Sequence, residues 1–315
     1  MKKTSYAFNV GYIRSLENRL LSDAKLEQLK QSSDIVEFID RLISIGYEIK
    51  RVTNLEDFSL QLDGYFNSIC SFIQKSCPKN TPFNWLWLKN DAFNYKAVLK
   101  SIFSNLNWEE LILTPYTIEP ETMAESIKTQ NFENMPDYFK ELAKTSFDIL
   151  SKTNDSNKTE VYLDKTMFKI MLDLSKDDEF LFERTCLNIT LENLAIAIRY
   201  IIMNKNLDNL KNVLIDGGQI DIDKISSAAL GGIEGIAPLL EEYGFKKSAD
   251  DLIENPALIE EFKLNRLKEF DKKSASVAFG FSPIVSYIKN LQREHKRLKE
   301  TAMIIEWNKC AKNNG

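Results

Sequence analysis

Residues 282–309 read SPIVSYIKNLQREHKRLKETAMIIEWNK, and this stretch indicates the class of fold. Pro283 suits the first turn of a helix, where its missing N–H is not needed. Apolar side chains then recur at roughly helical spacing, at Ile284, Tyr287, Leu291, Leu298, Met303 and Ile304. One long helix is therefore predicted here. Its middle, Gln292–Arg297, is polar, and we expect that part not to be buried on all sides.

The same helical spacing dominates the rest of the chain. Eleven glycines and eight prolines are few for 315 residues, and alternation of β-branched with polar side chains is nearly absent. Polar residues that favour helix N-caps precede several predicted helices, for example Ser22, Ser33-Asp34 and Asn54. Residues 112–120 are the best strand candidate, but the prolines that bracket them favour an extended linker. The predicted fold class is all-α.

The charge balance limits the classes of function. There are 41 Lys and Arg against 46 Asp and Glu, a net charge of −5 with both signs interspersed. General nucleic-acid binding needs a positive field that displaces counterions from phosphate, so this balance argues against it. No apolar segment follows the basic start Met1–Lys3, and no apolar run reaches the roughly 20 residues of a membrane span. We expect a soluble, cytoplasmic protein that meets a membrane only through a partner.

The sequence contains no motif for a metal site, a reactive thiol or a nucleotide site. The four cysteines form no CxxC pair and His295 is the only histidine, whereas a structural zinc site needs four Cys or His ligands at close spacing. We expect the cysteines to act as small buried hydrophobic residues in a reducing compartment. No GxxxxGKS or GxxxxGKT motif is present, and the glycine-rich stretch Gly231–Gly235 lacks the lysine. No metal, cofactor or nucleotide site is therefore predicted.

An internal repeat runs through the helices. Three helical segments begin with Leu-Asp or Leu-Asn at positions 62, 163 and 264, so consecutive copies start 101 residues apart. Each is followed by a second signature, a polar residue with Asn or Arg three positions later. The signatures are Asp91 with Asn94, Thr190 with Asn193, and Glu294 with Arg297.

A repeated helical unit implies one building block used several times, with neighbouring copies covering each other's apolar faces. The period is longer than in solenoid repeats, so small helical subdomains describe it better. Chance recurrence of Leu-Asp and Asn-Leu pairs in a helical chain rich in Lys and Asn is the alternative. The predicted subdomains are residues 1–110, 111–210 and 211–315.

A set of residues spread over nearly the whole chain carries a family resemblance. In chain order these are Tyr6, Arg14, Glu17, Asp91, Asn94, Lys96, Thr190, Asn193, Leu194, Arg199, Tyr287, Glu294 and Arg297. No single motif among them is specific, but their order and spacing resemble the C subunit of the V-type and A-type rotary ATPases, which is homologous to the d subunit of eukaryotic vacuolar ATPases. We interpret the polar motif residues as hydrogen bonds at helix starts that fix the geometry of each subdomain, and not as catalytic groups.

Two positions depart from the pattern of that family. Thr190 stands where the family has Asp before the central Asn-Leu, and we expect it still to cap a helix. Arg297-Leu298-Lys299 stands where the last repeat usually has Asn-Leu-Arg. Residues 112–157 match least and contribute nothing to the resemblance.

The resemblance implies a pseudo-threefold funnel of three helical subdomains without an active site. It implies a rotor part on the cytoplasmic face of the membrane-embedded proteolipid ring, peripheral to the membrane, that receives the foot of the central stalk (the D and F subunits). Its task would be to transmit torque between ATP turnover and proton or sodium transport. The alternative is a helical adaptor unrelated to rotary ATPases.

Several local features have both a functional and a structural interpretation. Asp177-Asp178-Glu179 resembles the magnesium-binding motifs of all-α prenyl-transfer enzymes, but one such cluster alone favours a helix N-terminus. His295, on the charged face of its helix, is predicted to be a solvated surface imidazole. The basic stretch Arg293–Lys299 is solvated by default, and a contact with an acidic partner or with anionic lipid is the functional alternative.

An aromatic cluster lies in the first third of the chain. Trp85, Trp87, Phe93 and Tyr95 fall within eleven residues of one predicted helix. Aromatic residues at this density favour a buried core, and a partner-binding patch is the alternative.

Overall fold

The computed structural model describes residues 6–313 and confirms the predicted all-α class. Within that range the chain forms α-helices, short 3-10 turns and loops, and no strand. The helices are α1 (Ala7–Glu17), α2 (Asp23–Lys30), α3 (Ile35–Ser44), α4 (Leu55–Ser76), α5 (Phe83–Ser104), α6 (Pro120–Thr129), α7 (Asp137–Thr153), α8 (Ser156–Ser175), α9 (Glu179–Ile202), α10 (Leu210–Val213), α11 (Ile222–Ala229), α12 (Gly232–Glu242), α13 (Ala249–Glu254), α14 (Leu258–Asp271) and α15 (Ser282–Asn313).

The chain divides into two compact units. The terminal unit joins both ends of the chain, Met1–Thr81 and Lys273–Gly315, and the middle unit comprises Pro82–Lys272. Helices α1–α4 and α15 therefore belong to the terminal unit, and α5–α14 belong to the middle unit. The division into three subdomains stays a prediction.

Side-chain caps set the start of several helices. Ser22, Asp34 and Asn54 each accept a hydrogen bond from the backbone N–H three residues ahead, at the starts of α2, α3 and α4. Each cap satisfies one of the N–H groups that the first turn of a helix leaves unpaired. The predicted starts at these positions are confirmed.

Helix α9 begins earlier than predicted. The Asp178 side chain accepts a hydrogen bond from the N–H of Leu181, and the helix starts at Glu179. The expectation that Thr190 caps a helix is wrong, because this earlier cap begins a continuous helix in which Thr190 lies in the middle. The acidic cluster is thus a helix N-terminus, where negative charge is favoured by the helix dipole.

Helix α9 forms the core of the middle unit. It is the only helix among residues 6–313 that is long and apolar enough to cross a membrane, yet 61% of its apolar window is buried inside the protein. Leu191, Leu194 and Ile198 are fully buried in a cluster with residues of α11, α12 and α14. This burial is typical of the core helix of a globular unit.

Helix α5 carries the aromatic cluster of the middle unit. Trp85, Trp87 and Tyr95 are buried, as the core interpretation predicts, whereas Phe93 is 44% exposed. The indole N–H of Trp85 donates to the hydroxyl of Thr185 over 3.0 Å. The aromatic residues of α5 thus pack mainly inward, and Phe93 alone of the four faces solvent.

Helix α15 is the long predicted helix and packs against α4 in the terminal unit. Its C-terminal half contributes Leu298, Ala302 and Ile305 to a core with residues of α2, α3 and α4. The polar middle is not buried on all sides, as expected, since the Lys296 side chain is 67% exposed. Glu294 differs from its neighbours because it is buried.

Candidate functional site

The repeat signature on α5 binds the backbone of a later loop. The side-chain amide of Asn94 donates to the carbonyl of Leu113 over 2.9 Å, and its oxygen accepts from the N–H of the same residue over 2.8 Å. The carboxylate of Asp91 accepts from the N–H groups of Thr117 (2.8 Å) and Ile118 (3.2 Å) and from the Thr117 hydroxyl. We call this arrangement a clasp, since one face of a helix holds a loop in place.

A second clasp of the same design lies on α9. Asn193 donates to the carbonyl of Ile215 over 2.7 Å and accepts from the Ile215 N–H over 2.8 Å. The Thr190 hydroxyl accepts from the N–H of Gln219 over 2.6 Å, while it donates to the carbonyl of Cys186 in its own helix. The Asn residues of the two clasps thus bind segments 19 and 22 residues further along the chain.

The third signature, on α15, holds segments that precede it in the chain. The Glu294 carboxylate accepts from the N–H of Leu21 and from the Tyr47 hydroxyl. Arg297 pairs with Asp23 over 2.7 Å, at the first residue of α2. Both ends of the chain therefore meet in this clasp, within the terminal unit.

Burial shapes the electrostatics of the two carboxylate clasps. It raises the pKa of Asp91, against the hydrogen bonds from Thr117 and Ile118 that favour the ionised form. Burial likewise raises the pKa of Glu294, opposed by its hydrogen bonds with Tyr47 and Leu21. These groups bind backbone and a phenol in closed surroundings, which is the chemistry of a structural link.

The three signatures lie in the middle of helices and not at helix starts. Their partners are loop backbone or residues near the N-terminus, which no local sequence pattern identifies. The functional role of the signature residues remains a prediction, but their geometry is that of cross-links between a helix and a distant segment.

Two other motif residues tie down the segment before α15. The Arg14 guanidinium forms a two-pronged ion pair with Glu17, at 2.8 and 2.9 Å. It also donates to the carbonyls of Ser274, Ala275 and Val277, at 3.0–3.2 Å. Arg14 thus holds the turn that leads into α15.

The tyrosines of the motif set are core residues of the terminal unit. Tyr6 is buried beside Phe281, and its hydroxyl accepts from that of Thr81 over 3.1 Å. Tyr287 is 2% exposed, and burial raises the pKa of its phenol.

A cleft of ≈ 1020 Å³ opens in the middle unit between α5, α8 and α9. Two further motif residues lie in its wall: Lys96, paired with Glu160 over 2.9 Å, and Arg199, paired with Glu192 over 2.9 Å. The remaining one, Leu194, is fully buried in the core. The cleft wall carries six basic residues and three acidic ones, although the whole chain is acidic. The basic residues are Lys89, Lys96, Lys158, Lys165, Arg199 and Lys205.

Lys89 is the cleft residue that sequence reasoning missed. Its ammonium lies 4.9 Å from the centre of the Phe168 ring and forms no ion pair among residues 6–313. Desolvation by the cleft walls lowers the pKa of Lys89, against the attraction of Glu192. The side chain remains exposed to solvent within the cleft, and this exposure limits the desolvation. Nothing in the local sequence marks this lysine, because α8 and α9 lie far along the chain.

The environment of His295 contradicts its prediction as a solvated imidazole. Nε2 of His295 lies 2.7 Å from a carboxylate oxygen of Asp63, the ring packs against Phe66, and the side chain is 19% exposed. Lys299 binds the same carboxylate at 2.7 Å. Burial acts to raise the pKa of Asp63, but the hydrogen bonds from His295 and Lys299 outweigh it and lower the pKa. The prediction failed because α4, which supplies these partners, is distant in sequence.

No arrangement of three or more His, Cys, Asp or Glu side chains that could hold a metal ion occurs in the described part of the chain. The three cysteines described there have free thiols, and burial raises the pKa of Cys70 and Cys77 to about 12. At neutral pH the thiols of Cys70 and Cys77 are therefore protonated, and the protonated thiol is not the nucleophilic form.

Comparison with known proteins adds the family. The family model described as ATP synthase (C/AC39) subunit matches residues 10–305. The C subunit of the A-type ATP synthase of Pyrococcus horikoshii is 25% identical, over 97% of this chain and 88% of its own length. The corresponding A-type protein of Methanocaldococcus jannaschii is 25% identical over 93% of this chain and 81% of its own length. The C subunit of the V-type ATP synthase of Thermus thermophilus is 23% identical over 68% of this chain and 67% of its own length. The resemblance seen in the motifs is thereby confirmed, and the chain belongs to the ATP synthase (C/AC39) subunit family.

Proposed function

We propose that this chain is the non-catalytic connector of a rotary V-type or A-type ATPase, which joins the central stalk (the D and F subunits) to the proteolipid ring and transmits torque between them. The observation that carries the proposal is the family match over residues 10–305. Membership of this family also removes the alternative of an adaptor unrelated to rotary ATPases. In this role the chain sits on the cytoplasmic side of the membrane, bound through the complex.

The clasps support a mechanical role. A body that transmits torque must resist bending, and close-packed helices transmit strain because their interiors are hardly compressible. Each clasp adds hydrogen bonds that fix a loop to the middle of a long helix, at Asn94, Asn193 and Glu294. The loops therefore move with the helices, as a stiff connector requires.

The cleft of the middle unit supports a binding role for the stalk. The ammonium group of Lys89 lies over the ring of Phe168, and that of Lys205 lies over the ring of Tyr200. Neither lysine forms an ion pair among the described residues. A stalk foot with acidic side chains would complement them, because opposite potentials steer and orient protein partners.

Reconstitution tests the proposal. Membranes containing the proteolipid ring are combined with the soluble sector and stalk, with and without this chain, and both ATP hydrolysis and ion transport are measured. We expect hydrolysis in both samples and ATP-driven ion transport only in the sample with the chain. Equal transport without the chain would refute the connector role, and so would ATP turnover by the purified chain alone.

A further inference from the structure

The segment Phe103–Leu113, at the end of α5 and in the loop that follows, exposes large apolar side chains. Leu106 is 67% exposed, Leu111 50%, Leu113 43% and Phe103 41%. Together they expose on the order of 300 Å² of apolar surface within one short segment, which is comparable to the largest apolar patch on a typical monomer. Four such residues within eleven positions need a physical explanation.

Looseness of the loop does not explain this exposure, because the backbone is held in place. Asn105 ends α5 in the left-handed conformation (φ 53°), and the N–H of Leu106 donates to the carbonyl of Ser101 over 2.8 Å. Both backbone groups of Leu113 are bound by Asn94. The loop is fixed at both ends in a form that directs leucines to solvent.

The corresponding segment of the second clasp behaves differently. There Leu210 and Leu214 are completely buried, and Ile215, the residue bound by Asn193, is 2% exposed. The same clasp design is therefore compatible with a buried apolar loop. Exposure in Phe103–Leu113 is a property of that segment and not of the clasp.

The charge around this segment is one-sided. Between Lys100 and Lys128 the sequence has no Lys, Arg or His and five glutamates, at positions 109, 110, 119, 121 and 125. Glu109 and Glu110 lie between the exposed leucines, are themselves exposed, and form no ion pair among residues 6–313. Anionic lipid and nucleic acid would both be repelled by such a surface.

We propose that Phe103–Leu113 is a docking surface for a protein partner whose contact face is apolar and bordered by Lys or Arg side chains. The apolar residues supply contact area, and Glu109 and Glu110 orient the partner through opposite charge. The inference rests on the proposed function, since the partner is then another subunit of the rotary complex.

Two variants of the full chain test the surface: a triple variant with Leu106→Ser, Leu111→Ser and Leu113→Ser, and a charge reversal with Glu109→Lys and Glu110→Lys. The measurement is the amount of chain that co-purifies with the assembled complex. We expect both variants to be retained less well than the wild type, and the leucine variant at least about tenfold less, because burial of two or three leucines contributes more than about 1.4 kcal/mol. The charge reversal should lose most at low salt, where screening is weakest.

A matched control carries three serines at exposed apolar residues elsewhere, Leu60, Leu230 and Ile253, which are 64%, 71% and 57% exposed. It should be retained like the wild type. Thermal unfolding of the free charge-reversal variant should stay within about 2 °C of the wild type, because Glu109 and Glu110 are exposed. The leucine variant removes side chains that are 43–67% exposed, so its thermal unfolding is measured alongside. If the leucine variant unfolds early, the charge reversal, which removes no apolar contact, decides the question.

The outcomes separate this inference from the proposed function. If the complex retains the wild type and retains both variants equally well, the docking surface is refuted and the connector role stands. Wild type that never co-purifies with the complex would overturn the connector role itself. A photo-crosslinker placed at Leu111 should form an adduct with another subunit. The proposal would be refuted by an adduct only with a second copy of this chain. It would also be refuted if this segment bound anionic vesicles.

Discussion

Replacement of Asn193 by alanine tests the clasp on α9 most directly. Asn193 is completely buried and binds both backbone groups of Ile215, itself 2% exposed. The substitution Asn193→Ala leaves that N–H and that carbonyl without partners in the core. A buried polar group left unsatisfied costs about 1–3 kcal/mol, so we expect the free energy of unfolding to fall by about 2–5 kcal/mol. The lower end applies if a water molecule enters the vacated space and binds both groups.

The assay must report on the middle unit alone, because the two units need not unfold together. Three of the four tryptophans, Trp85, Trp87 and Trp108, lie in the middle unit, and Trp307 lies in the terminal unit. Trp307 is 76% exposed, so Trp307→Phe gives a background in which indole fluorescence follows the middle unit during urea unfolding. Hydrogen exchange adds a local readout, since the amide of Ile215 should lose its protection.

Asn212→Ala is the matched control, because Asn212 is an exposed asparagine in the same segment. We expect it to change the free energy of unfolding by less than about 0.5 kcal/mol. If Asn193→Ala also stays within about 0.5 kcal/mol of the wild type, and the Ile215 amide keeps its protection, the clasp contributes nothing and our interpretation of the repeat is wrong.

Three further substitutions have defined outcomes. Asp271→Ala should lower the free energy of urea unfolding by about 3–5 kcal/mol, because it leaves the buried Arg184 guanidinium, which lies 2.6 Å from the carboxylate, without its counter-charge. Asp271→Asn removes the same charge and should cost nearly as much, and a far smaller loss for Asp271→Asn would argue against a charge effect. The difference in unfolding free energy between Glu294→Gln and the wild type should shift in favour of the variant as pH rises. Burial raises the folded-state pKa of Glu294, so the wild type loses stability as pH rises through that pKa, whereas glutamine does not titrate. A difference that stays constant between pH 4 and 8 would refute this. His295→Gln should cost less than about 1 kcal/mol, since its pair with Asp63 is partly exposed, and a larger loss would mean that the packing on Phe66 dominates.

Helix starts are predictable where the signal is local. Ser22, Asp34 and Asn54 cap their helices through hydrogen bonds to N–H groups three residues away, so a few consecutive residues contain the whole interaction. Asp178 is an equally good capping residue, and it begins α9 twelve positions before Thr190. The predicted helix start at Thr190 is based on the position of the repeat signature. That signature marks a tertiary contact in the middle of the helix and not a helix end.

The sequence shows only one side of each contact in the candidate sites. The signature residues can be identified, but their partners, such as Leu113 and Ile215, are separated from them by one or more turns and helices. The neighbours of His295 likewise come from a helix more than two hundred residues earlier in the chain. Contacts of this kind are set by tertiary packing, which single-sequence patterns do not contain.

The departures from the family pattern become understandable once the clasps are compared. At the first signature position Asp91, Thr190 and Glu294 differ in charge and length, yet each presents an oxygen that accepts a backbone N–H from the held segment. What the position requires is therefore an acceptor, and a hydroxyl meets that requirement without burying a charge.

The second position is less tolerant. Asn94 and Asn193 each use both their donor and their acceptor on one residue, a pattern that the amide side chain supplies and a guanidinium, which has no acceptor, does not. At this position Arg297 instead reaches the exposed carboxylate of Asp23. An exposed ion pair contributes at most about 1 kcal/mol and is screened by salt. The third clasp therefore depends on Glu294, and Arg297→Ala should destabilise the terminal unit far less than Asn193→Ala destabilises the middle unit.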